Sequence, residues 1–257
     1  MILLIDWGNT FLKYFFIDSS LETESQLNFS KVKKTDSLTS LAFDLSNDRN
    51  KNTVSMTYIS SVRKSSDNLQ LSSTLDKLNI NSIFINTEKQ FDRISCAYDN
   101  FENLGVDRWL TIIASHHVKK TIGIIDIGSA ITLDVISENG QHLGGHIVPG
   151  ARLLLESLNT TERVKVSEKT EDKDSDRNRL LLGTSTNECV GFGVDQMIQA
   201  YLEKSISEVT RHHQVEQWIF TGGGGEYWSK NLSVSKSNHC KYDGLLVFKG
   251  LTRYINR

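Results

Sequence analysis

One pattern occurs twice in this chain, and it restricts the fold more than any other feature. Residues 2–5 (ILLI) form an apolar run ending in Asp6; the chain turns through Gly8 and Asn9 and returns as the apolar run 11–17 (FLKYFFI). The pattern comes back 120 residues later in IGIIDIGSAITLDVIS, where Asp126, Gly128 and Ser129 stand in the places of Asp6, Gly8 and Asn9. Two apolar runs across such turn residues predict an antiparallel hairpin. One hairpin could arise by chance, but two at matching positions predict two related halves. We place these at 1–115 and 116–257. Residues 54–60 and 82–86, between the hairpins, and 217–220, after the second, read as strands. Residues 36–47, 67–79, 108–119, 187–208 and the tail DGLLVFKGLTRYINR read as helices. Strands and helices interleave, so the expected class is α/β.

Composition narrows the function. A net charge of -2 lacks the basic excess of a nucleic-acid binder, and no apolar run approaches the roughly 18 residues that span a bilayer. Cys96, Cys189 and Cys240 are odd in number and far apart. That predicts neither a disulfide framework nor a zinc site, and a reducing, cytoplasmic setting. The opening MILLIDWGNT has no basic segment and is broken by Asp6, so it reads as a strand rather than a signal peptide. Polar residues 159–178 read as a loop.

Five places can carry chemistry. In Asp6-Trp7-Gly8-Asn9-Thr10, an aspartate ends a buried strand and needs a partner, for which the divalent ion on a nucleotide is suited. The turn's N–H groups and Lys13 can meet phosphate oxygens. Asp126-Ile127-Gly128-Ser129 repeats that logic from the other half. No GxxxxGK[ST] is present, so this is not a P-loop; no GxGxxG follows the first strand, which argues against a dinucleotide. Gly105-Val106-Asp107-Arg108 opens a helix, where Asp107 is either a cap or a base and Arg108 can bind a carboxylate bidentately. Gly144 to Gly150 (GGHIVPG) holds the only proline, Pro149, and reads as a shaped loop at a helix start. His146 there is expected to be structural. Thr221-Gly222-Gly223-Gly224-Gly225 lets a flat adenosine approach the backbone. The pairs His116-His117 and His212-His213 are expected at the surface.

DWGNT at 6–10, YDNFENLGVDR at 98–108, DIGSAIT at 126–132 and GGHIVPG at 144–150 resemble the type III pantothenate kinases, of the acetate and sugar kinase, Hsc70 and actin superfamily. GTST at 183–186 and TGGGG at 221–225 resemble them more loosely. The resemblance implies two actin/ribonuclease H-like domains with a nucleotide cleft between them, a homodimer, and phosphorylation of pantothenate to 4′-phosphopantothenate. It implies that Asp6, Trp7, Gly8, Asn9, Thr10, Phe11, Leu12 and Lys13 hold ATP and its Mg²⁺, with Ser129 contacting ATP. Asp107 would be the base, and Tyr98, Gly105, Val106, Arg108 and Thr186 would join it around pantothenate. Asp126 would hold K⁺ or NH₄⁺. Three departures are visible: Ser129 replaces the usual Thr, Phe101 a usual Pro, and the Leu-Pro expected after Asn159-Thr160-Thr161 is missing. Two other readings stay open, a regulatory protein of the same family and a kinase for another small hydroxy acid.

Overall fold

The computed structural model describes residues 1–18, 31–48, 54–159, 182–234 and 239–256. The loop expected over 159–178 lies outside them from residue 160 onward. The first half runs β1 (Ile2–Trp7), β2 (Leu12–Ile17), β3 (Lys33–Thr35), α1 (Leu38–Asn47), β4 (Met56–Ser61), α2 (Ser65–Asp76) and β5 (Ser82–Phe84). The short strands β6 (Gln90–Phe91) and β7 (Ile94–Ser95) pair with each other, and a 3₁₀ turn at Phe101–Asn103 leads to α3 (Val106–Ser115). The second half runs β8 (Ile122–Ile127), β9 (Ala130–Ile136), β10 (His142–Pro149), α4 (Ala151–Asn159), α5 (Thr186–His213), β11 (Gln217–Thr221), α6 (Gly225–Asn231), β12 (Cys240–Tyr242) and α7 (Leu246–Ile255).

The repeat read from two hairpins extends to whole sheets. One has strand order β3-β2-β1-β4-β5 and the other β10-β9-β8-β11-β12. In both, the first three strands are antiparallel and the last two parallel to the first strand of the half. The constant offset of 120 does not survive the turns. Asp6 pairs with Lys13, whereas Asp126 pairs with Thr132, so beyond the turn the halves correspond at an offset of 119. The second turn is one residue shorter.

Side-chain alternation puts successive residues on opposite faces, and each sheet is buried on both. Ile2, Leu4, Phe15 and Ile17 pack on Val106 and Leu110 of α3 and on Phe248 and Leu251 of α7. Ile122, Ile124 and Ile136 of the second sheet pack on Trp109, Ile112 and Ile113 of the same α3. Helices α3 and α7 are thus a shared layer between the sheets. Gly250 allows their close crossing, since a Cβ there would lie 2.3 Å from the Leu110 carbonyl oxygen. The outer faces take Leu41, Leu45, Leu71 and Leu75 of α1 and α2 on one side, and Val194, Ile198, Leu202 and Ile206 of α5 on the other.

One expectation is corrected. GGHIVPG is the body of β10, not a loop; only Gly150 lies between strand and α4. β10 is an edge strand, where a proline costs no interior ladder bond. Among the described residues, no helix is long and apolar enough to cross a membrane.

Candidate active site

Asp6 and Asp126 end the first strand of each half and share parity with the residues facing α3. Both therefore point into the space between the sheets. The third carboxylate, Asp107, sits in the first turn of α3, where the helix N-terminus favours negative charge. Its Oδ1 accepts a 2.7 Å hydrogen bond from the Arg108 backbone N–H, while Gly105 holds the N-cap position. Bonding within the helix turn and a role as base are compatible, so the two readings of Asp107 do not compete.

The three carboxyls lie near enough to act on one another's charge. Burial raises the Asp6 pKa to about 6; Lys13, its neighbour at 3.9 Å, lowers it, and Asp107 raises it. Burial raises Asp126 further, to about 7, with Asp107 and Asp6 adding to the rise and Lys13 opposing it. Burial also raises Asp107, against hydrogen bonding and charge from Arg108. Three carboxylates from three elements thus raise one another's cost of ionisation, an arrangement typical of functional sites.

The two turns touch. Thr10 Oγ1 and Ser129 Oγ are 2.7 Å apart, and Arg152 Nη2 donates to Thr10 Oγ1 at 3.4 Å. Arg63 lies with its guanidinium 5.5 Å from the Trp7 ring centre, donates from Nη1 to the Asn9 carbonyl at 2.9 Å, and pairs with Asp67. The first turn is thereby tied to the start of α2. The side chain of Leu12 faces the outer core with α1 and α2, and exposed Phe11 packs under Lys34. A cavity of about 200 Å³ begins at Ile127 and Gly128 and continues along Arg152, Asp195, Gly224 and Trp228. It places the glycine run beside the second turn.

Tyr98 and Arg108 are in contact: Arg108 Nη1 donates to the Tyr98 hydroxyl at 3.0 Å. Thr186 is exposed in the first turn of α5. Arg108 is not a free carboxylate trap. Nε and Nη2 already donate to Asp134 Oδ2 and Oδ1 at 2.8 and 2.6 Å, and His142 Nε2 lies 2.9 Å from Oδ1. The sequence reading missed Asp134 and His142. An aspartate in the apolar run AITLDVI was the available signal, since a buried carboxylate must have partners. His146 is exposed, with Nδ1 3.4 Å from the Tyr201 hydroxyl.

The family model described as type III pantothenate kinase matches residues 2–208. The chain belongs to that family. A type III pantothenate kinase of Pseudoalteromonas atlantica is 34% identical over 187 residues, 72% of each chain. One of Pseudomonas syringae is 31% identical over 230 residues, covering 87% of this chain and 88% of that one. Solved structures carry the fold: a Baf family protein of Campylobacter jejuni described as a putative transcriptional activator (TM-score 0.59, 21% identity, 98% and 96% of the chains) and the archaeal actin homologue Ta0583 (TM-score 0.50, 12% identity, 98% of both). The expected actin-like architecture and kinase family are therefore right.

A pantothenate kinase of this family uses ATP with a divalent metal. Among the described residues, no group of three or more His, Cys, Asp or Glu side chains could hold a metal alone. The residues fit a metal carried on phosphates, with the Asp6 carboxylate near the end of its strand able to face it. Asp126 fits a monovalent cation: it is a hard oxygen ligand with no ion-pair partner within 4.0 Å among the described residues.

Proposed function

We propose that this chain transfers the γ-phosphoryl group of ATP to the primary alcohol of pantothenate, giving 4′-phosphopantothenate, the first step toward coenzyme A, in the cytoplasm. What supports the reading is that Asp6 and Asp126 face the space between the sheets, with Asp107 at the start of α3 acting on the charge of both, in a chain of this family. Phosphoryl transfer needs mainly positioning and charge neutralisation. The acceptor oxygen attacks the γ-phosphorus, the bond to ADP breaks, and the acceptor's proton passes to Asp107, whose burial-raised pKa makes it a better base than a free aspartate. Asp6, Trp7, Gly8, Asn9, Thr10, Phe11, Leu12 and Lys13 form the phosphate turn, Lys13 by its ammonium and Leu12 only by its backbone. Ser129 meets the nucleotide from the other half. Mg²⁺ on ATP and K⁺ or NH₄⁺ at Asp126 would supply the remaining positive charge. Adenosine takes the cavity along Gly224.

Tyr98, Gly105, Val106 and Arg108 line the acceptor side. Thr186 is assigned there on the family motif, and Thr186→Ala is expected to raise KM for pantothenate. A homodimer is part of the same reading. Its support is apolar exposure on three packed elements: Leu143 and Ile147 of the β10 edge, Leu153 of α4, and Phe192 and Met197 of α5. Sedimentation of the purified chain tests it, and a monomer at micromolar concentration would remove it.

The decisive experiment offers ATP, Mg²⁺ and K⁺ with a panel of hydroxy acids, reading product mass. Pantothenate should gain one phosphoryl group, and Asp107→Asn should lower kcat by roughly 10²–10⁴ while ATP still binds. Turnover of another acceptor alone would replace pantothenate. No turnover of any acceptor would favour a regulatory protein.

A further inference from the structure

The ion pair of Arg108 belongs to a closed ring of contacts spanning four segments. Arg108 of α3 is 5% exposed and Asp134 of β9 1%. Asp134 accepts from Arg108 Nε and Nη2 and is bonded to His142 Nε2 of β10. His142 Nδ1 accepts a 3.4 Å bond from the Ala97 backbone N–H. Since Nδ1 accepts, the imidazole proton is on Nε2 and is donated to Asp134. The ring closes through Tyr98, next to Ala97, whose hydroxyl accepts from Arg108 Nη1 and whose ring stacks on His142 at 6.3 Å and 18°.

The backbone reserves room for this ring. Gly145 lies opposite Asp134 in the β9–β10 ladder. A Cβ there would fall 2.0 Å from the Leu133 carbonyl oxygen, 2.5 Å from Asp134 Oδ1 and 2.8 Å from Arg108 Nη2, so the glycine serves the β9 backbone as well as the ring. Replacing a buried ion pair by apolar residues often costs nothing in stability, so stability alone does not explain so much accommodation. The guanidinium has five N–H groups, of which three are engaged by the described residues. Two remain, one on each terminal nitrogen.

We propose that Asp134 and His142 are positioning residues for acceptor recognition. Asp134 fixes the guanidinium plane, and His142 ties Asp134 to the segment that carries Tyr98. The free N–H groups of Arg108 are then held ready for the carboxylate of the acceptor, before it arrives. This deepens the pantothenate reading and rests on it. Preorganisation of this kind lowers the cost of binding, and its loss falls on ligands that carry the carboxylate.

The test is steady-state kinetics of the full chain with pantothenate and with panthenol, which has an alcohol in place of the carboxylate. His142→Phe keeps a ring to stack on Tyr98 and loses both nitrogens. His142→Gln keeps one donor and one acceptor. His142→Phe should raise KM for pantothenate roughly 10- to 100-fold, with kcat, KM for ATP and KM for panthenol within about threefold of wild type. His142→Gln should recover most of the lost affinity. Equal KM changes for both acceptors, no change for pantothenate, or Gln no better than Phe would overturn the inference. If His142→Phe does not fold, Asp134→Asn, which keeps the shape of the carboxylate and loses its charge, must give the same selective rise or the inference fails. A wild type that phosphorylates neither acceptor would overturn the pantothenate reading and this inference with it, whereas the outcomes above sink the inference alone.

Discussion

The hairpins β1–β2 and β8–β9 share a backbone plan and differ in what they aim inward. Lys13 and Phe15 of the first correspond in register to Thr132 and Asp134 of the second. The first hairpin therefore brings its own cation to Asp6, and that carboxyl rises only to about 6. The second has a hydroxyl at that position, and Asp126 rises to about 7. One place further along, Phe15 fills the core against Phe248, while Asp134 grips Arg108. On the reading proposed above, a duplicated frame is divided into a half that handles phosphate and a half that accepts an added cation and steadies the acceptor pocket.

The sharpest way to break this comparison is to remove the carboxylate that lacks a cation. Asp126→Asn should lower activity in potassium buffer by about 10²-fold, the scale of one electrostatic contribution at a transition state. It should also bring the potassium-to-sodium activity ratio to about 1. Wild-type activity that is already equal in the two buffers would remove the cation from Asp126. In the other half, Lys13→Ala should raise KM for ATP roughly 10-fold or more, as expected for loss of a charge-assisted contact. It should leave the potassium dependence intact. If Lys13→Ala abolished that dependence instead, the two hairpins would not be separable.

Stability gives a third contrast. The pKa values of Asp6 and Asp126 are raised from 3.8 in the folded state. Between about pH 4 and pH 7 the folded protein holds protons that the unfolded chain has released, so its stability falls as pH rises through that window. The ligand-free protein should melt higher at pH 5 than at pH 8. Asp126→Asn should flatten the decline and raise stability at pH 8 by on the order of 2 kcal/mol, about 5 °C. Asp6→Asn should do less, because its carboxylate is already partly offset by Lys13. A melting temperature that rises between pH 5 and pH 8 would contradict both raised values.

What could be read from the sequence follows from physical range. Hairpin alternation, the helical spacing of α3 and the acidic turns are local, and they carried the duplicated fold and the three aspartates. Three kinds of feature were not local. The glycines of β10 made a strand look like a loop, because Gly145 is needed where the Leu133 carbonyl, Asp134 and Arg108, distant in sequence, crowd the strand. Asp134 and His142 take their meaning from partners 26 residues away and on the neighbouring strand. The seven-residue α6 directly follows a glycine run that gave no helical signal, and β12 is only three residues long.

The smallest expected effect concerns the place where the halves meet. The Thr10–Ser129 bond joins two turns that otherwise belong to separate sheets, and it is only partly buried. Either hydroxyl can turn to water when its partner is lost, so Ser129→Ala should destabilise the ligand-free protein by about 1 kcal/mol or less. Thr10→Ala should cost slightly more, because it also loses the donor Arg152. The double variant should cost less than the sum of the singles, since the shared bond can be lost only once. Denaturant melts of the four proteins measure this. Full additivity would mean that the two turns are held together by the surrounding sheets and α3 alone, and that the bond between them contributes nothing.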